Sequence, residues 1–163
     1  MHMSLLKALY LANALWFLLA FFQFSFRQRQ AMVSGSLRRN STDSKVKSTP
    51  EGDAWHHDLL AYLGGINLAP ASLAAIRLTV LLSPECRWLS TVTTGSPLHD
   101  RPLDVLSLVI LGLANFSQAR VNLFVVRNSG RWILGDVFEA ITAVDALLTV
   151  SDWTSAIAIA RGV

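Results

Sequence analysis

A chain of 163 residues that is 52% hydrophobic and only 15% charged departs from soluble domains, in which about a quarter of residues carry charge. Its apolar residues fall in long blocks, the mark of an integral membrane protein, and the length suits one domain. The net charge of +3 sits mainly between those blocks, an orientation pattern that argues against nucleic acid, and the lone Cys86 excludes an intramolecular disulfide, a CxxC pair and a thiolate zinc cluster.

The first apolar block, residues 5–26, is longer than the hydrophobic core of a cleaved signal peptide and no small-x-small cleavage site follows closely. It is expected to be a retained transmembrane helix, with Lys7 reaching back to the interface. Residues 27–58 turn polar and basic, with Arg27, Arg29, Arg38, Arg39, Lys45 and Lys47, and 34–50 reads as a flexible loop. Within it, Arg38-Arg39-Asn40-Ser41 resembles a basophilic kinase site and Asn40-Ser41-Thr42 is a glycosylation sequon. The two modifications occur on opposite sides of a membrane, so only one can be used.

Residues 59–82 form the second expected span. Ala61, Gly65 and Ala69 place small residues every four positions for close helix approach, Pro70 predicts a kink, and Arg77 is a charge within the span. After a polar connection at 83–102 come the third span, 103–126, and the fourth, 132–150, with 151–163 as a tail that continues along the membrane surface. Leu63-Gly64-Gly65-Ile66-Asn67 and Leu111-Gly112-Leu113-Ala114-Asn115 share the pattern L-G-x-x-N, which puts the glycine and asparagine on one helix face. A duplicated hairpin and chance both account for it.

Eight Lys and Arg residues fall on the side holding the first and third loops, against four on the other. The positive-inside rule then puts those loops in the cytosol and both termini in a lumen or outside the cell, which favours the kinase reading of Ser41. Four of the five tryptophans lie near expected span ends, as interfacial tryptophans do; Trp16 is mid-span. His56-His57-Asp58, beside Glu51 and Asp53, lacks HxxxH or HExxH spacing and reads as an interfacial polar cluster rather than a metal site. No cofactor motif is present.

Charges inside spans are costly and tend to pair, line a polar cavity or do chemistry. At about 1.5 Å rise per residue, Arg120 and Asp136 both fall roughly 8 Å to the cytosolic side of the midplane, while Arg77 and Asp145 fall roughly 10 and 6 Å to the other side. The expected ion pairs are therefore Arg120 with Asp136 and Arg77 with Asp145. Glu139 is left within roughly 3 Å of the midplane. It is either an acid or ligand-binding group in an intramembrane pocket or a side chain tying helices together through Asn67 or Asn115.

Gly65-Ile66-Asn67 through Ala75-Ile76-Arg77 in the second span, and Ala114-Asn115-Phe116 followed by Leu123-Phe124-Val125 in the third, resemble the Erg28-like family of small four-helix endoplasmic reticulum proteins. The basic first loop is longer here, and the acids of the fourth span are a departure from that pattern. The resemblance implies a non-catalytic membrane scaffold that tethers sterol-modifying enzymes.

The expectation is an all-α integral membrane bundle of four transmembrane helices, acting as a scaffold or accessory subunit among membrane lipids and membrane-protein partners or further copies of itself. The alternative is a small membrane enzyme acting on a sterol or polyketide-like substrate. Glu139 would then be the acid/base, and Asn67, Asn115 and Arg120 would orient the substrate.

Overall fold

The computed structural model describes residues 3–35, 37–83, 100–126 and 136–162. All the described regular structure is helical. Helix α1 (Met3–Phe26) is followed by α2 (Gln28–Gly35), a 3-10 turn (Leu37–Asn40), α3 (Ser44–Ser48), α4 (Ala54–Leu82), α5 (Arg101–Arg120) with a π-helical extension (Val121–Val126), and α6 (Asp136–Ala160). Four segments are long and apolar enough to cross a bilayer: Met3–Phe26, Ala54–Leu82, Arg101–Phe124 and Glu139–Ala160. The protein is an all-α, four-helix membrane bundle.

Two of the helix starts have a clear physical cause. Asp53 caps α4 by accepting from the His56 backbone N–H, and the His56 ring reaches back to the Asp53 backbone, which closes a capping box. Pro102 occupies the first turn of α5, where no N–H is required. α4 runs through Pro70 as a single helix, although the proline leaves one carbonyl of the preceding turn without its helical donor.

α1 packs chiefly on α4, and α5 chiefly on α6; α4 with α5 and α1 with α6 close the ring. α4 and α6 therefore stand at opposite corners. The two L-G-x-x-N motifs explain both tight pairings. A Cβ on Gly64 would collide with the backbone at Phe24 and Ser25 of α1, and a Cβ on Gly112 would collide with the Trp153 indole of α6. The expected row Ala61, Gly65, Ala69 is not the one used inside the bundle. Gly65 and Ala69 are exposed, because a shift of one residue rotates the helix face by about 100° and Gly64 takes the contact instead.

The fourth span is displaced from its expected place at 132–150 to Glu139–Ala160. The run Ala156-Ile157-Ala158-Ile159-Ala160 belongs to the spanning helix, and Ala156 and Ile159 join the core. The reading of residues 151–163 as a surface tail is corrected accordingly.

The basic loop is also more structured than its composition predicts. Arg38 is buried, donating through Nε to the Thr49 carbonyl at 2.8 Å and through Nη2 to Thr49 Oγ1 at 2.8 Å. Arg29 bonds Glu51 at 2.8 Å and the His57 ring meets the Glu51 carbonyl at 2.7 Å. Backbone carbonyls and acids within the same loop satisfy these cations. Ser41 Oγ accepts from the Asp43 backbone N–H, while the Asn40 side chain lies outside the described residues.

Candidate functional site: a polar column inside the bundle

Residues three apart on a helix advance about 4.5 Å and stay near one face. On α1 this spacing joins Tyr10, Asn13 and Trp16, and each donates a hydrogen bond to an aspartate on another helix. Tyr10 Oη donates to Asp104 Oδ1 of α5 at 2.8 Å, Asn13 Nδ2 to Asp152 Oδ1 of α6 at 2.9 Å, and Trp16 Nε1 to Asp145 Oδ1 of α6 at 2.7 Å.

At the first level Arg77 of α4 completes the group. Its Nε and Nη2 both donate to Asp104 Oδ1, at 3.1 and 2.6 Å. Both side chains are buried, Arg77 at 1% and Asp104 at 5% exposure. From the span centres, both lie about 13 Å from the midplane on the same side. Depth matching thus picks out the right kind of partner for Arg77 but not the right residue. The expected pair with Asp145 does not form, because Asp145 is on the opposite corner helix and on the other side of the midplane.

At the second level Asn115 of α5 donates through Nδ2 to Asn13 Oδ1 at 2.9 Å and to Asp152 Oδ2 at 3.3 Å. Asn13, Asn115 and Asp152 are all at 0% exposure, and each lies within about 4 Å of the centre of its span. Three helices are thereby tied together where the bilayer is least polar. The Asn13 amide also donates to the Leu9 carbonyl at 3.1 Å.

The third level is the Trp16–Asp145 bond, and it accounts for the tryptophan that lies away from an interface. Nearby, Thr149 donates to the backbone carbonyl of Asp145 at 2.7 Å. Asn67, the asparagine of the α4 motif, accepts from Gln118 of α5 at 3.0 Å and donates to the Leu63 carbonyl at 2.7 Å.

The substrate-binding set expected from sequence does not converge. Glu139 is exposed at the first residue of its span rather than buried at the midplane, a direct result of the displaced fourth helix. Arg120 is exposed near the same end of the bundle, and the side chain of its expected partner Asp136 lies outside the described residues. Asn67 and Asn115 occupy separate hydrogen-bonded groups. Two shallow grooves of about 460 and 440 Å³ lie elsewhere, one beside Arg101, Val105 and Ile159 and the other beside Phe26, Arg27 and Val33.

Tyr10, Asn13, Asp104 and Asp152 were not among the expected site residues. Asn13 carried a signal, a lone amide in the middle of the first span. Asp152 carried one too, since the apolar run Ala156–Ala160 follows it. Outside the membrane, the imidazole of His56 beside Asp53, at 2.6 Å, holds that carboxyl below its ordinary range, first through the side-chain hydrogen bond and then through the backbone one. No group of three or more potential metal-ligating His, Cys, Asp or Glu residues occurs among the described residues.

No protein-family model, curated protein or solved structure matches the chain.

Proposed function

We propose that the protein is a non-enzymatic membrane scaffold or accessory subunit that binds other membrane proteins through the outer face of α4. The observation that carries this reading is a stripe of small exposed residues, Gly65, Ala69 and Ser72, spaced four and three apart. Nothing within the described chain lies within 4 Å of where a Gly65 Cβ would stand. Small residues on a lipid-facing helix let another helix approach its backbone closely, and packing of this kind drives association within membranes.

The interior supports the same reading. Its amides and carboxyls bond to one another across three helices instead of converging on an open pocket. Glu139 stands away from Asn67 and Asn115, so the alternative enzyme would lack the acid that the sequence nominated. The Erg28-like resemblance nominates lipid- or sterol-modifying enzymes as the partners and the endoplasmic reticulum as the membrane. The charge bias nominates a cytosolic loop between α1 and α4 and lumenal termini.

Gly65→Leu tests the proposal cleanly, because Gly65 has no neighbour in the described chain at its Cβ position. The expected result is loss of co-purifying membrane proteins in mild detergent with unchanged thermal stability. Full retention of those partners overturns the proposed surface. Concentration-dependent cross-linking of two tagged copies, lost in the same variant, identifies the partner as a second copy. A glycan on Asn40 in a eukaryotic membrane inverts the proposed orientation.

A further inference from the structure

The described spans bury three carboxyls, those of Asp104, Asp145 and Asp152, but only one cation, Arg77. Arg77 is committed to Asp104 through two of its nitrogens. By span position Arg77 lies about 10 Å in depth from Asp152 and about 20 Å from Asp145, on the far side of the midplane. Neither aspartate has a salt-bridge partner among the described residues.

Neutral donors only partly compensate. Asp152 receives Asn13 and Asn115, while Asp145 receives Trp16 alone, and its Oδ2 has no hydrogen-bond partner among the described residues. Asn115 Oδ1, beside Asp152, is likewise buried without a partner among them. A carboxylate at 0% exposure with one or two neutral donors is not tolerated as a free anion in a low-dielectric interior. Other charged or titratable side chains that border the column leave the count unchanged. Tyr10 is neutral and bonded to Asp104, Lys7 is half-buried one turn further toward the Arg77 end, and Glu139 and Arg120 are exposed.

We infer that the bundle interior binds two monovalent cations that the described residues do not supply, one at Asp145 and one at Asp152, each a proton or an alkali ion. The ligand is a single small positive charge, because each site offers one carboxyl, and no three-residue metal cluster occurs among the described residues. Asp145 Oδ2 is the acceptor at one site. Asp152, with the carbonyl oxygen of Asn115 beside it, makes the other. Both lie on α6 seven residues apart, so filling the sites lets α6 seat against α1, and emptying them weakens that seam. This holds whichever partner α4 recruits.

The experiment uses the full chain in mild detergent. Thermal stability is followed against pH, and separately against sodium, potassium and choline chloride at equal ionic strength, for the wild type, Asp145→Asn, Asp152→Asn and the double variant. A cation bound only by the folded state raises the folded-to-unfolded ratio by up to about tenfold per site for each tenfold rise in its activity. Asparagine keeps an oxygen for Trp16 or Asn13 and needs no cation, so the double variant loses that dependence. Wild-type stabilisation by acid but not by alkali ions identifies the proton, and stabilisation by sodium or potassium over choline identifies a metal ion. Infrared spectra of the wild type check the result without relying on variants that fold: a protonated-carboxyl carbonyl band marks the proton. A wild type indifferent to both pH and alkali ions, or a double variant with the wild-type dependence on them, overturns the inference.

Discussion

Arg77 and Asp104 meet at 2.6 Å with both side chains buried, and the Tyr10 hydroxyl donates to the same carboxylate oxygen from a third helix. One ion pair near a membrane boundary therefore locks α1, α4 and α5 together. Removing one partner strands the other charge in an apolar setting, so Arg77→Ala or Asp104→Ala is expected to cost about 3–5 kcal/mol. Replacing both with apolar side chains of similar size should recover most of that loss. Unfolding in mixed detergent measures each variant, and a double variant that loses the sum of the two single losses would refute the pairing.

Tyr10→Phe removes one donor from that group while leaving the ion pair. Because Asp104 keeps both Arg77 nitrogens, the expected cost is only about 1 kcal/mol. A loss as large as that of Arg77→Ala would mean that the hydroxyl positions the pair as well as bonding to it.

Gly64 and Gly65 are neighbours with opposite surroundings. Gly64→Ala drives a methyl into the α1 backbone, and overpacking of this kind costs about 1–3 kcal/mol. Gly65→Ala meets nothing and gains helix propensity, so its stability should be unchanged or raised by up to about 1 kcal/mol. Thermal midpoints should therefore fall for the first variant and hold or rise for the second.

Glu139→Gln removes ionisation from an exposed side chain at the first residue of its span. The expected change in stability is within about 0.5 kcal/mol, with partners retained. Loss of a measurable turnover in this variant would revive the enzyme alternative.

The Asp53–His56 contact predicts acid sensitivity at the start of α4. The folded-state carboxyl titrates below its unfolded value, so its contribution is present above the ordinary carboxylate range and is lost as pH falls through the folded value. The ring resonances of His56, followed by NMR, should report loss of the contact in acid. In Asp53→Ala that transition should disappear.

Much of the architecture was legible in the sequence. Four apolar blocks require four spans because a backbone in hydrocarbon must satisfy its own hydrogen bonds, which a helix does within a single segment. The L-G-x-x-N repeats put Gly64 with Asn67 and Gly112 with Asn115 on one helix face, although close approach was expected of Ala61, Gly65 and Ala69. Asp152 was missed because Ser151 and Asp152 look like the polar end of a span, although the apolar run resumes beyond them. Arg77 was given the wrong partner because placing the fourth span at 132–150 put Asp145 at a false depth, and because depth along a span does not specify which helix stands beside it.

The sequence by itself determined the helical class, the number of spans and the need to neutralise each charge inside them, since hydrophobic length and the cost of desolvation act on each segment alone. Tertiary structure decided that Arg77 meets Asp104, that Asn13, Asn115 and Asp152 share one midplane group, and that Glu139 faces outward. Those outcomes depend on the rotation and vertical offset of each helix against its neighbours, and on α4 and α6 standing at opposite corners. A shift of one residue turns a side chain by about 100°, enough to separate Gly64 in the seam from Gly65 on the outer face.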